Sequence, residues 1–160
     1  MLGGSPAAVK GSLQRARRNL DRLRRTADRD QTPLSRSRRE REITRRLAAA
    51  FEADDMPGVV ALLTGDAWLA MPPAPHEYHG PAAVTAFLGA SASWRAGRRF
   101  RLVATRASTQ PAFGCYLSQG EGQAAEASGL YVLTLDGDRI CGLTRFLDDR
   151  VLLSFGLPPG

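Results

Sequence analysis

An α+β domain with its helices ahead of its strands is the fold class this sequence predicts, and three observations carry it. Apolar residues recur at helical spacing across residues 37–63, short strand-like runs fill residues 100–147, and Asp136-Gly137-Asp138 joins the last two runs as a hairpin. Helices followed by a meander of strands place the helices on one face of an antiparallel sheet. The chain of 160 residues is about one domain's worth of sequence.

The first element expected is a helix from Ser5 to Arg25. Ser5 is a good N-cap, Pro6 suits the first helical position, and Val9, Leu13, Ala16, Leu20 and Leu23 form one narrow stripe. Asp28 to Ser37, with Pro33 and many polar residues, reads as a linker. A second helix runs from about Ser37 to Ala53, with Ile43, Leu47, Ala50 and Phe51 on one face and Glu40 at capping-box spacing from Ser37. A short helix follows from Pro57 to Leu63. Ala67 to Met71 is a strand stopped by Pro72 and Pro73, and Gly80 to Leu88 is a third helix opened by Pro81. Strands over Phe100–Arg106, Ala112–Leu117, Gly129–Leu135 and Arg139–Leu147 complete the domain.

Charge divides the chain. Residues 1–46 hold 14 Lys and Arg against 5 Asp and Glu, whereas the rest of the chain is slightly acidic. Such asymmetry points to a nucleic-acid or acidic-protein contact at one end. No long apolar run predicts a membrane span, and no apolar segment after the first residues predicts a secretory leader, so the cytoplasm is the expected compartment. Cys115 and Cys141 lie in separate strands with a third between them, too far apart for a disulfide, and are expected to be buried thiols.

Several strings are more specific. Met71-Pro72-Pro73-Ala74-Pro75 with Tyr78 and Gly80, Gln110–Phe113, Leu133–Ile140, Thr144–Asp148 and Phe155–Pro158 are similar to the SnoaL-like extension of certain extracytoplasmic-function sigma factors. The resemblance covers most of residues 43–158. It implies an NTF2-like/SnoaL-like cone, a curved antiparallel sheet wrapped on helices, with an N-terminal helical arm. Ser5–Arg17 resembles the last helix of sigma region 4, which enters the major groove of promoter DNA. The division so implied is a region 4 remnant over residues 1–27, a linker over 28–37 and a SnoaL-like domain over 38–160.

By that resemblance Lys10, Ser12, Gln14, Arg15, Arg17 and Arg18 would contact DNA in a full-length parent, with RNA polymerase and the sigma core as partners. The family's usual serine is Gly11 here, and Ser108-Thr109 stands where an Asn-Gly turn is expected. Starting at Met1, the sequence lacks sigma region 2 and the first helix of region 4, so it is expected to be a truncated piece without sigma activity of its own.

A cup of this kind could hold a small apolar ligand, and Trp68, Met71, His76, Tyr78, Phe87, Tyr116, Tyr131 and Arg145 are the candidate lining residues. For Arg145, pairing with Asp148 or another carboxylate and contact with a ligand both stay open. Isomerases of this superfamily carry a catalytic Asp before the proline that ends the first strand, and a tyrosine on the first helix. The matching positions are Met71 and Leu47, neither of which transfers a proton. His76 and His79 lie three apart beside Glu77 in a proline-rich loop, which offers no fixed face for a metal. No catalytic residue, metal or cofactor is therefore assigned. The expected function is a non-catalytic regulatory domain in transcription initiation. The alternatives are a cyclase- or isomerase-type enzyme, which needs a titratable group aimed into the cup, and a binding module that pairs as a homodimer.

Overall fold

The computed structural model describes residues 37–120 and 122–158. The helix expected over Ser5–Arg25, the DNA-contacting set from Lys10 to Arg18, and all of the linker except Ser37 lie outside the described residues.

Helix α1 spans Arg38–Glu52, and its start follows from its cap: the Ser37 hydroxyl accepts the Glu40 amide at 3.0 Å. The Glu40 carboxylate turns to the Arg106 guanidinium. Ile43, Leu47, Ala50 and Phe51 form the buried stripe. A one-turn helix α2, Met56–Val60, is capped by Asp55, whose carboxylate accepts the Gly58 amide at 3.0 Å. Strand β1 follows at Leu63–Ala70 and the short strand β2 at Glu77–His79. Helix α3 spans Pro81–Trp94, a full turn and more beyond its expected end. Its continuation, Gly89-Ala90-Ser91-Ala92-Ser93, has no apolar stripe for a sequence reading to follow.

Strands β3 (Arg99–Ala107), β4 (Gln110–Ser118), β5 (Glu126–Asp136) and β6 (Arg139–Phe146) form the expected meander. The β3–β4 hairpin closes through Ser108-Thr109, and Ser108 takes the positive φ (+56°) that Asn-Gly would have supplied. A 3₁₀ helix over Asp149–Phe155 ends the domain.

The six strands lie in the order β2-β1-β6-β5-β4-β3. One expectation is corrected here: the sheet is mixed, because β1 pairs parallel with β6. The meander is antiparallel, and β1 with α3 crosses from one end of the sheet to the other, so the free edge of β6 receives β1 in the parallel sense.

Side-chain alternation gives the sheet two different faces. The inner one packs Ala67, Leu69, Phe113, Cys115, Tyr131, Leu133 and Leu143 against the α1, α2 and α3 stripes. The outer one carries Ala112, Tyr116, Leu130 and Val132, covered in part by the 3₁₀ helix through the fully buried Leu152. Close approach on the outer face explains Gly142, where a β-carbon would lie 2.3 Å from Cζ2 of Trp68. Cys115 and Cys141 are buried free thiols, with β5 between their strands.

Candidate functional site

The inner face at the β3–β5 end of the sheet holds an aromatic row. Phe51 on α1 stands edge-on to Phe100 of β3 at 6.1 Å and tilts against Tyr131 of β5 at 5.3 Å. A guanidinium closes each end: Arg95 lies 4.7 Å from the Phe100 ring centroid, and Arg145 lies 4.7 Å from that of Tyr131. Both arginines are buried, and they are the only polar or charged residues in that class among the described residues.

Arg145 stands opposite Tyr131 in the β5–β6 ladder, and this pairing sets its side chain beneath the ring. It donates to the Ser128 carbonyl, the Ser128 hydroxyl (3.1 Å) and the Phe146 carbonyl (3.2 Å). Of the two readings open for Arg145, a carboxylate partner is not found among the described residues: the Ser128 and Phe146 oxygens hold the guanidinium. Arg95, at the end of α3, pairs with Asp54, and its buried Nε has no hydrogen-bond partner. Sequence reasoning missed Arg95. It follows Trp94 in a helix tail without an apolar stripe, and nothing in the local pattern marks it as buried.

Two further groups share this interior. Burial pushes the Tyr131 hydroxyl up to about 12, against a downward pull from Arg145. Burial also pushes the Cys115 thiol up to about 11, again opposed by Arg145. Both are neutral at physiological pH, so Tyr131 offers a polar contact and not a general base. No Asp, Glu or His is buried among the described residues, and none of them forms a metal-ligand cluster of three or more such groups.

The expected lining residues fall in three places. Tyr131 and Arg145 are in the aromatic row. Met71 is half-buried against the inner core, as are Tyr78 and Phe87, whose rings stack at 4.4 Å some distance along the helix side. Trp68 and Tyr116 are corrected. They belong to the outer face: Trp68 alternates with the core residues Ala67 and Leu69, and Tyr116 alternates with the core residues Phe113 and Cys115. The Tyr116 hydroxyl donates to the Pro158 carbonyl at 2.7 Å. His76 and His79 are exposed, and His79 Nε2 lies 3.1 Å from the Glu77 carboxylate. Leu47, expected to match the tyrosine position of the isomerases, is fully buried in the core.

A curved sheet closed over three helices, with an apolar and aromatic interior, defines the NTF2-like class. Solved structures of that fold match across most of their length. An NTF2-like protein of unknown function from Mesorhizobium loti is 21% identical with a TM-score of 0.57, covering 73% of this chain and 97% of that one. A candidate ketosteroid isomerase from Kribbella flavida is 18% identical with a TM-score of 0.56, covering 79% and 87%. The profile of the SnoaL-like domain matches residues 44–143, and the chain belongs to that family. The extracytoplasmic-function RNA polymerase sigma factor SigG of Mycobacterium tuberculosis is 32% identical over 157 residues, which is 98% of this chain. The chain spans 42% of the length of that relative.

Proposed function

We propose that this chain is the SnoaL-like regulatory portion of an extracytoplasmic-function-type sigma factor and that it is not an enzyme. The observation that carries the reading is the similarity to SigG, which runs through the basic arm as well as the domain and leaves only three residues of the chain uncovered. The chemistry of the interior agrees with it. A neutral tyrosine, a neutral thiol and two guanidiniums held by oxygens, a carboxylate or rings supply no proton-transfer pair. The arm, with Lys10, Ser12, Gln14, Arg15, Arg17 and Arg18, would then face DNA beside RNA polymerase.

Reconstituted transcription tests this. The chain is titrated into core RNA polymerase with a sigma factor of the matched type and its promoter, and transcript is measured. A several-fold, saturable change in initiation is expected. A transcript level unmoved at saturating chain removes the regulatory reading. The arm has its own test in fluorescence anisotropy with duplex DNA. Binding is expected to be weak and insensitive to sequence. It should fall steeply with salt, with a log–log slope of roughly −3 or steeper if four or more of these residues meet phosphates. A chain starting at residue 37 should lose it.

A further inference from the structure

The β3 strand forms one edge of the sheet, and its outward-facing backbone has a definite polarity. Its partner β4 pairs Ala107 with Gln110 across a two-residue turn, so Ala107, Thr105 and Val103 make the ladder hydrogen bonds. Arg106, Ala104 and Leu102 therefore turn their N–H and C=O groups away from β4. Two observations agree with this phase. Pro111, which has no N–H to donate, stands opposite Arg106, and the Leu102 amide donates outward to the Glu52 carboxylate at 2.9 Å.

Beside that edge runs a groove of about 290 Å³ between α1 and β3. Thr44 and Ala48 form its helix wall, and Leu102, Ala104 and Phe113 its strand side and floor. Ala104 is exposed at the middle of the open edge. Arg99 and Arg101 are also exposed on β3, and neither has an ion-pair partner among the described residues. The Leu102 amide of this edge is held by an acidic side chain.

We propose that the β3 edge is a docking site for an extended acidic peptide segment, which adds as a further strand along Ala104 and Arg106. The backbone supplies the pairing, in the manner of strand addition to an open sheet edge. Arg99 and Arg101, projecting from the outer side of the same strand, select carboxylates on the incoming segment. Glu52 marks where the backbone pairing ends, because its carboxylate holds the next outward amide, and the segment runs on past it beside Arg101 and Arg99.

The probe is a fluorescein-labelled nine-residue peptide of alternating valine and glutamate, followed by anisotropy against the full 160-residue chain. Saturable binding that weakens with salt is expected. The same peptide N-methylated at alternate amides cannot pair with a strand, and should bind at least about tenfold more weakly. The peptide with lysine in place of glutamate should do the same. Ala104→Pro removes the central edge N–H at a position where an edge strand tolerates proline, and should reduce binding by a similar factor. The double variant R99E/R101E leaves the edge backbone intact, so it reports on selection even if the proline variant fails to fold. Equal binding of the N-methylated peptide would identify a simple anion patch and overturn the proposal. Undiminished binding by a folded Ala104→Pro, or by R99E/R101E, would overturn it as well. None of these results bears on the transcription assay, so this proposal and the regulatory reading fail separately.

Discussion

Arg145 concentrates the electrostatics of the interior in one side chain. A buried guanidinium held by carbonyls and a ring is stable only while all its partners remain, since each lost bond strands a buried polar group. Arg145→Met should therefore cost about 3 kcal/mol in urea denaturation, because the Ser128 and Phe146 carbonyls lose their donor. Arg145→Lys keeps the charge but not the planar stacking on Tyr131, and should fall between the two. Tyr131 adds a pH dependence whose sign is fixed. Its hydroxyl is raised from about 10 in the unfolded chain to about 12 in the folded one, so the folded state holds its proton longer. The associated stability is complete below pH 10 and is lost as pH climbs toward 12. About 2–3 kcal/mol should disappear across that window. Tyr131→Phe should remove that share in chemical-denaturation curves recorded at each pH, leaving a decline of similar size from Cys115 that begins nearer pH 9.

Secondary-structure elements are held by local chemistry that was largely readable in advance. Ser37 caps α1 as its spacing to Glu40 promised, and Ser37→Ala should cost about 1 kcal/mol in thermal unfolding. Gly142 is a stricter case. Gly142→Ala places a methyl group inside the Trp68 ring, and should cost at least about 2 kcal/mol with a shift in tryptophan emission. The α1 stripe, the four-strand meander and the Asp136–Arg139 turn were legible because each has a period or a turn residue that only one conformation satisfies. What escaped had no such signal. The small residues that extend α3 carry no stripe, and β2 is three residues between prolines and a glycine. Tyr116 faces outward by plain alternation with Phe113 and Cys115, but β4 is apolar on both faces, so its sequence did not mark which side the helices cover. Arg95 was invisible because its burial comes from the meeting of α3 with Asp54 and Phe100, three segments apart in sequence.

At the scale of the whole molecule, the interior among the described residues is apolar and aromatic, with Arg95 and Arg145 as its buried charges. Met71, just before the two prolines that follow β1, lies half-buried against the inner core. Met71→Asp would place a carboxylate in that apolar wall. It should lower stability at neutral pH by about 1–3 kcal/mol and recover part of that loss in mild acid, where the group is protonated. Urea titrations at pH 7 and pH 4.5 read this difference directly. The parallel contact between β1 and β6 has a different reach. Leu69 and Leu143, its central pair, are more than seventy positions apart along the chain. β1 can pair with β2 early, but its other edge has no partner until the last hairpin exists, so a chain still growing on the ribosome carries a half-paired β1 through the synthesis of everything between. Nascent products that stop before Arg139 would leave that edge of β1 open to any chaperone within range, and release of the final strand would cover it in a single closing event.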